Sequence, residues 1–176
     1  YTTDGTEPTT KSARYSEPFA FSKKGTVKAI SHDASFNKKS PVSSIRFDIP
    51  ASTYMLVNPK DEEAGVMLDG NGYTAYYLPE GKQQLELELK EEALISGFTY
   101  VPNQNRDASG HISNYQLYVN NIKVAEGEFS NIKHNPIAQE IRFKPTKGKL
   151  IRLVATRITE NGKRAGIGEF SVITEN

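Results

Sequence analysis

Cysteine and tryptophan are both absent from this 176-residue sequence. Without cysteine, the chain can form no disulfide, thiolate metal site or thiol nucleophile. No apolar run approaches the roughly 18 residues that a membrane-spanning helix requires. There is also no excess of one charge, since 22 Lys and Arg stand against 21 Asp and Glu, for a net charge of +1. Proteins that bind nucleic acid normally carry a basic excess on one face, so nucleic acid is not an expected partner.

The periodicity that the sequence does contain is that of β-strands. Residues 84–90 alternate as Gln-Leu-Glu-Leu-Glu-Leu-Lys, which puts the leucines on one face of a strand. Only one short helical turn is expected, near 61–64, and turn sequences such as Lys-Gly-Lys at 147–149 and Asn-Gly-Lys at 161–163 separate the strands. The sequence therefore predicts an all-β fold, a sandwich. Further strands are expected at 95–101, 115–119, 124–129, 139–143, 150–158 and 168–173.

A domain boundary is predicted at residues 50–53. Residues 45–49 alternate like a final strand, and the Pro-Ala-Ser-Thr that follows has the composition of a short linker. The prediction is thus a β-unit over 1–49 with a net charge of +3, followed by a second unit over 54–176. Residues 50–176 together carry a net charge of −2.

The first unit has a distinctive run of polar and turn-forming residues. Tyr-Thr-Thr-Asp-Gly-Thr-Glu-Pro-Thr at 1–9 is expected to be a strand that enters a tight Asp-Gly turn. Together with Tyr-x-x-Pro-Phe at 15–19 and Gly-Thr-Val-Lys-Ala at 25–29, it resembles the immunoglobulin-like domain on the C-terminal side of chitobiases and β-hexosaminidases. A strand precedes the tyrosine in that family. The resemblance therefore implies a partial immunoglobulin-like unit, truncated at its N-terminal edge, with a spacer role.

The second unit resembles a discoidin domain, the coagulation-factor type C module. Leu-Asp-Gly-Asn-Gly-Tyr-Thr at 68–74 matches a loop of that family, and residues 95–102 with 110–119 match its central strand pair. Residues 143–155 and 168–170 match its closing strands. Within the family the likeness is to the family 32 carbohydrate-binding modules. The resemblance implies a galactose-binding-domain-like, jelly-roll β-sandwich whose ligand surface is made by loops at one end.

The Asp-Gly-Asn-Gly-Tyr-Thr loop at 69–74 is a candidate cation site. A glycine-containing loop can direct several oxygens inward, as Ca²⁺ requires, but Thr74 stands where an EF-hand needs its sharp-turn glycine. The resemblance instead implies a structural Ca²⁺ ion held by Asp69, Asn71, Thr74 and, from the last strand, Glu169. The alternative is a plain Asp-Gly turn held by its own side-chain hydrogen bonds.

Sugar recognition is implied for the loops at one end of the second unit. Sugars stack their CH-rich faces on aromatic rings and hydrogen-bond their hydroxyls to planar polar side chains. In the resembled family the first loop supplies a Trp and a His, and Tyr76 and Tyr77 occupy those places here. The alternative for this loop is that one of the two tyrosines packs into the sandwich.

Two further loops complete the implied sugar site. Asn103 replaces an arginine of the family, and Ser109 replaces an asparagine. Arg106 lies close enough in sequence to substitute for that arginine, and Arg164, in the loop 161–167, would form the third wall. The implied ligand is galactose or an amino sugar. The alternative is a solvated loop without a sugar site, because such loops have the same polar composition.

Catalytic groupings are absent from the sequence. His32, His111 and His134 are scattered, and His111, beside the start of a predicted strand, is expected at the surface. No Gly-x-Ser-x-Gly, His-Glu-x-x-His or phosphate-loop sequence occurs. The neighbouring glutamates at 86 and 88 fall on the polar face of a strand, whereas a general acid needs a pocket to raise its pKa. The chain is therefore not expected to be an enzyme.

The resemblances together imply a non-catalytic accessory region of an exported glycoside hydrolase of the chitobiase or β-hexosaminidase type. Its partners would be a glycan and the hydrolase's own catalytic domain. The alternative is a structural spacer or protein-docking domain that has lost its sugar site. Membrane lipid is not an expected ligand, because residues 50–176 have polar loops and a net charge of −2.

Overall fold

The computed structural model describes residues 1–159 and 162–175, and β-strands form most of its regular structure. The chain divides into two compact units, residues 1–50 and 51–176. The predicted all-β class is confirmed. Within the described residues, no helix has the length and apolarity to cross a bilayer.

The first unit is a small arrangement of two strand pairs. An Asp-Gly turn forms as predicted: Asp4 accepts a hydrogen bond from the Thr6 backbone (3.0 Å), and Gly5 has a φ of +80°. The strand predicted for residues 1–9 is wrong, because only Thr2 pairs there, in an isolated bridge with Lys28. The strands are β1 (Gly25–Ala29), β2 (His32–Asp33), β3 (Lys38–Lys39) and β4 (Ser43–Phe47). Strands β1 and β4 pair antiparallel, as do β2 and β3.

The second unit contains the main sheet and two 3-10 helices, Ala51–Thr53 and Glu62–Leu68. The second helix begins where the helical turn was predicted, because the Asp61 carboxylate caps it by accepting from the Glu63 backbone (3.0 Å). The strands are β5 (Met55–Asn58), β6 (Tyr76–Tyr77), β7 (Gln84–Val101), β8 (Ile112–Val119), β9 (Ile122–Glu128), β10 (Gln139–Ile158), β11 (Gly166–Ile167) and β12 (Glu169–Thr174).

The main sheet is antiparallel, with the order β12-β7-β10-β8-β9, and β5 also pairs with β7. The long strand β7 changes partners along its length: its first half pairs with β5 and its second half with β12. Strands β6 and β11 form a separate two-stranded sheet. The two halves of β7 thereby contribute to different parts of the sandwich.

The turn predicted at residues 147–149 is wrong, since this segment continues strand β10. Shifts in the pairing with β7, between Arg142 and Thr146 and between Gly148 and Leu150, absorb the irregular sequence. Gly148 is required for packing: a Cβ atom there would lie 2.4 Å from Cγ1 of Val119. This glycine is present because two strands approach each other closely, and the chain does not reverse direction there.

The core of the second unit combines leucines with a cluster of aromatic rings. Leu85, Leu87 and Leu89 are buried on one face of β7, as their alternation predicts. On the second half of β7, the rings of Phe98 and Tyr100 pack 5.3 Å from Tyr115 and 4.9 Å from Phe129, respectively. Aromatic contacts of this kind add about 0.5–1.5 kcal/mol beyond the burial of area. The cluster gives the loops a rigid base.

Tyr100 connects this core to the loops at one end of the sandwich. Its hydroxyl donates to the Gly166 carbonyl (2.8 Å) and accepts from the Ile112 amide (3.0 Å). Burial raises the pKa of Tyr100, so the hydroxyl stays protonated and can serve as the donor. One buried side chain therefore fixes the starts of β8 and β11, from which two of the candidate site loops extend.

Candidate functional site

The four residues predicted to bind a cation lie together and are called the carboxylate loop here: Asp69, Asn71, Thr74 and Glu169. The Asn71 amide donates to Asp69 Oδ1 and to Glu169 Oε1, both at 2.7 Å, although Glu169 is 98 residues away in sequence. The Thr74 hydroxyl lies 2.7 Å from the Asn71 carbonyl and 3.1 Å from Asp69 Oδ2. One short loop and the first residue of β12 thus gather two carboxylates, a hydroxyl and a carbonyl.

The two carboxylates of the carboxylate loop have pKa values shifted in opposite directions. Burial, and then the neighbouring Asp69, raises the pKa of Glu169 to about 7. For Asp69, burial acts in the same direction, but hydrogen bonds from Asn71, Glu169 and Thr74 hold its pKa below the ordinary value. A cation between the two groups would favour the ionised form of both.

The oxygen donors fit a hard cation such as Ca²⁺, which takes carboxylate, carbonyl and hydroxyl oxygens and tolerates irregular geometry. The site would have two acidic ligands, and no group of three or more His, Asp or Glu suited to a metal occurs among the described residues. The neutral oxygens of Asn71 and Thr74 would therefore supply the remainder of the coordination.

Of the two adjacent tyrosines, Tyr76 packs into the sandwich. It is only 7% exposed, and its hydroxyl donates to Asp61 Oδ2 at 2.9 Å. Its backbone pairs with Ile167 across the β6–β11 sheet. Burial, reinforced by Asp61, raises the pKa of Tyr76. In this position the ring offers no face for a sugar to stack on.

Tyr77 belongs to a second group, called the tyrosine cluster here: Tyr77, Asn103 and Arg164. Asn103 Nδ2 donates to the Tyr77 hydroxyl (3.3 Å), and Asn103 Oδ1 accepts from the Asn105 amide (2.9 Å). Arg164 donates to the backbone carbonyls of Leu78 (2.8 Å) and Tyr77. The polar groups of this cluster thus hold the loops to one another.

Close backbone packing brings Ser109 to the same place. A Cβ atom on Gly166 would lie 2.9 Å from the Tyr77 ring and 3.3 Å from the Ser109 carbonyl oxygen. Gly110, at a φ of +68°, leaves no room for a Cβ either, since one would lie 2.1 Å from the Arg164 carbonyl oxygen. The structure therefore brings Tyr77, Asn103, Ser109 and Arg164 together. Residue 161, part of the predicted third loop, lies outside the described residues.

Arg106 lines a neighbouring cavity of about 590 Å³, and none of the other predicted sugar-binding residues does so. The prediction that His111 lies at the surface is wrong: it is 5% exposed and faces this cavity. Its amide donates to Thr159 Oγ1 (3.1 Å) and its carbonyl accepts from the Thr159 amide (2.9 Å), so the backbone holds it beneath the loop. Burial lowers the pKa of His111.

Three residues near these loops were not singled out by their pattern in the sequence. Lys133 and His134 line the same cavity from the segment after β9. Tyr73 is 68% exposed, and its carbonyl accepts from Asn105 Nδ2 at 2.7 Å. The sequence contained a signal for Tyr73, because an aromatic residue in an Asp-Gly loop is a candidate for ligand contact. It contained no such signal for Lys133 and His134, because long-range contacts bring these two residues to the loops.

These features define a class of protein, the discoidin-type β-sandwich domain with ligand loops at one end. The family model of the F5/8 type C domain matches residues 48–170, and the chain therefore belongs to the F5/8 type C, or discoidin, family. A second family model, described as Fn3 associated, matches residues 1–47. The predicted resemblance to discoidin domains is confirmed, and the chain is a non-catalytic module of this family.

Solved structures with the same fold include carbohydrate-binding modules and the C-terminal domain of a chitobiase. The CpGH89CBM32-5 domain of Clostridium perfringens, in complex with GalNAc-β-1,3-galactose, is 25% identical with a TM-score of 0.59, covering 71% of this chain and 98% of that one. The family 32 module of C. perfringens NanJ, in complex with galactose, is 23% identical with a TM-score of 0.59, covering 70% and 95%. The C-terminal domain of a Bacteroides fragilis chitobiase is 15% identical with a TM-score of 0.56, covering 72% and 97%. No curated protein matches the chain.

Proposed function

We propose that this chain is a carbohydrate-binding accessory region of an exported glycoside hydrolase of the chitobiase or β-hexosaminidase type. The observation that carries the proposal is the convergence of Tyr77, Asn103, Ser109 and Arg164, from three separate loops, at one end of a discoidin sandwich. The galactose and GalNAc-galactose ligands of the solved relatives support the class of ligand. The chitobiase relative supports the type of parent enzyme.

The module would act by raising the local concentration of substrate near a catalytic domain in the same polypeptide. Its affinity for a single sugar is expected to be weak. The Tyr77–Asn103–Arg164 groups already bond to one another and to backbone, so a sugar must compete with those contacts. Weak single-site binding suits a tether, because several contacts with an extended glycan add up.

We further propose that the carboxylate loop binds Ca²⁺ as a structural ion. Bridging Asp69 to Glu169 would connect the loop at 69–74 with the first residue of the last strand. Its ligands would all come from the protein, so the ion would stabilise the fold and take no part in chemistry. Chelation should lower the melting temperature without abolishing the secondary structure.

A structural or docking role is the second candidate function. It is favoured by the closed hydrogen bonding of the tyrosine cluster, in which Arg164 is committed to two backbone carbonyls. In that case the loops would serve to hold each other, and a sugar would have to compete with these hydrogen bonds.

A glycan array probed with the full 176-residue chain separates these candidates. The unmutated chain should bind galactosides or amino sugars, and Tyr77→Ala should weaken the signal at least tenfold. Tyr15→Ala is the matched control, because Tyr15 is a 61% exposed tyrosine of the first unit. If the folded, unmutated chain binds no glycan, the carbohydrate-binding proposal fails and the structural role is favoured.

A further inference from the structure

We propose that the outer face of the main sheet carries a second binding site, for a neutral oligosaccharide. The site, called the outer-face groove here, is a cavity of about 510 Å³ where strands β5, β7 and β10 meet the turn before β7. A ligand rich in hydroxyl groups is argued from the groove itself, whereas its assignment to the saccharides rests on the proposed function. The groove is lined by Asn58, Gly81, Lys82, Gln83, Gln84 and Val154.

The outer-face groove lies on the side of the sheet that faces away from the core. Side chains alternate between the two faces of a strand, and Leu85, Leu87 and Leu153 are buried. Gln84 and Val154, which pair across β7 and β10, therefore point to the opposite face. None of the residues that line the groove belongs to the tyrosine cluster, so the two sites are separate.

Hydrogen bonds fix the walls of the outer-face groove. Gln83 Oε1 accepts from the Ala165 amide (3.0 Å), and Gln83 Nε2 donates to the Lys163 carbonyl (3.4 Å). Between β5 and β7, Asn58 Nδ2 donates to the Gln84 carbonyl (3.5 Å). The groove is therefore built before a ligand binds, which lowers the entropic cost of binding.

Amide groups dominate the polar lining of the outer-face groove. The Gln84 side chain makes no hydrogen bond among the described residues, so its amide is available to a ligand. Amides carry both donors and acceptors, which match the hydroxyl groups of a sugar. Lys82 is the only charged residue among the described residues that line the groove, and it is exposed to water, which screens its charge.

Arg152 lies beside the groove, two residues before Val154 on the same face of β10, and carries an unused donor. Its guanidinium stacks on the Tyr118 ring, 4.3 Å from the ring centroid, which holds the group in place without using its N–H groups. Its Nε is buried and has no hydrogen-bond partner among the described residues, since Oε1 of Glu86 is 3.8 Å away. Buried polar atoms without a partner are rare. A sugar hydroxyl, or a water beneath the sugar, would supply the missing acceptor.

The charged side chains around Arg152 are paired within the sheet. Lys149 of β10 forms an ion pair with Glu88 of β7, and Lys123 of β9 lies 2.7 Å from Glu126 of the same strand. An ionised ligand would have to compete with these pairs, whereas neutral hydroxyl groups can bind beside them. The face therefore favours an uncharged ligand.

The size of the outer-face groove suits several sugar rings. Its volume of about 510 Å³ falls within the range of about 300–1,000 Å³ typical of small-molecule sites. A single ring would reach only part of a surface that continues along the sheet from Gln84 to Arg152. We therefore expect the groove to bind an oligosaccharide and not a monosaccharide.

The test is isothermal titration of the full chain with the neutral tetrasaccharide of β-1,4-linked N-acetylglucosamine, with N-acetylglucosamine itself and with tetragalacturonic acid. The neutral tetrasaccharide should bind at least tenfold more tightly than either of the other two. Gln84→Ala and Arg152→Ala should each weaken its binding at least fivefold. If Arg152→Ala does not fold, Gln84→Ala still decides, because that side chain makes no hydrogen bond within the described residues. Arg142→Ala is the matched control, because Arg142 is an exposed arginine of β10 bonded to Glu140.

The outcomes separate this inference from the proposed function. If Tyr77→Ala loses the tetrasaccharide while Gln84→Ala and Arg152→Ala bind it normally, the outer-face groove is not a site, and the proposed function stands. If Gln84→Ala weakens binding and Tyr77→Ala does not, the groove binds the sugar independently of the tyrosine cluster. Equal affinity for tetragalacturonic acid would overturn the preference for a neutral ligand, and equal affinity for the monosaccharide would overturn the preference for a longer one. A folded chain that binds galactose but not the tetrasaccharide contradicts this inference alone.

Discussion

The carboxylate loop and the tyrosine cluster gather polar side chains in opposite ways. In the carboxylate loop, Asp69 and Glu169 both accept from the Asn71 amide, and burial, followed by the neighbouring Asp69, raises the pKa of Glu169 to about 7. In the tyrosine cluster, Asn103 donates to the Tyr77 hydroxyl, and Arg164 donates to two backbone carbonyls. The first group brings two acidic side chains together, which is the reason for proposing a cation there, whereas the second makes hydrogen bonds within the protein before any ligand binds. The comparison thus sets a proposed ion that would stabilise the fold against a proposed sugar that would compete with existing contacts.

Of the changes that distinguish the two groups, calcium removal should have the largest effect on the stability of the fold. An ion at a thousand times its dissociation constant stabilises a folded protein by about 4 kcal/mol, so chelation should lower the melting temperature by about 10 °C for a chain of this size. Differential scanning calorimetry with Ca²⁺ or with chelator measures the shift. An unchanged melting temperature would favour the plain Asp-Gly turn.

Glu169→Gln sharpens this test, because its effect should change sign with calcium. Without the ion, the neutral amide relieves the repulsion from Asp69 and can donate to it, so the variant should melt above the unmutated chain. With the ion, the variant loses a charged ligand and should melt below it. Glu175→Gln is the control, an exposed glutamate just after β12. The same sign in both conditions would contradict a cation at this loop.

Tyr77→Phe should have an intermediate effect on the tyrosine cluster. Removing the hydroxyl takes an acceptor from Nδ2 of Asn103, which is only 6% exposed, and an unsatisfied buried amide costs about 1–3 kcal/mol. Urea unfolding measures the loss. Tyr73→Phe, at an exposed ring, should cost under about 0.5 kcal/mol. If both variants have equal and negligible effects on the free energy of unfolding, the hydrogen bond between Asn103 and Tyr77 does not stabilise the cluster.

Acidification tests the burial of His111. Its pKa is lowered in the folded chain by burial, so the unfolded chain binds a proton more readily. The stability contributed by the neutral ring is present above the ordinary pKa of about 6.5 and is lost as the pH falls below it. Urea midpoints between pH 8 and pH 5 should therefore fall less in His111→Gln than in the unmutated chain. Parallel pH profiles would contradict the burial.

His134→Gln is the matched comparison and should have the smallest effect. His134 lines the same cavity but its side chain is exposed, and surface substitutions of this kind change stability by about 0.5 kcal/mol or less. Its urea midpoint at pH 8 should equal that of the unmutated chain.

The sequence predicted the elements whose signals are local: alternation placed Leu85, Leu87 and Leu89 correctly. The proximity of Asp69 and Glu169 was implied by the resemblance to discoidin domains, and the structure brings the two residues together. Two predictions failed because the deciding contact is distant. Gly148 reads as a turn residue but is needed where β10 approaches Val119, and His111 reads as a surface residue but is held down by Thr159.

The cavity that Arg106, Lys133 and His134 line could not be predicted from the sequence for the same reason. Lys133 and His134 follow a strand with no motif of their own, and the Gln104 side chain connects their loop to the loop that carries Arg106. The hydrophobic periodicity of the sequence does not indicate a contact between residues 104 and 136. Local propensity sets the strands, whereas the grouping of charges at the loop end is a product of tertiary structure.

Carbohydrate binding by this end of the domain is tested most directly by an NMR titration of the full, calcium-loaded chain with galactose and with N-acetylgalactosamine. We expect saturable shifts concentrated at the amides around Tyr77, Asn103 and Arg164, with the core strands unaffected. Shifts confined to other surfaces, or no shifts at millimolar sugar from folded protein, would contradict a carbohydrate-binding role for this end of the discoidin domain.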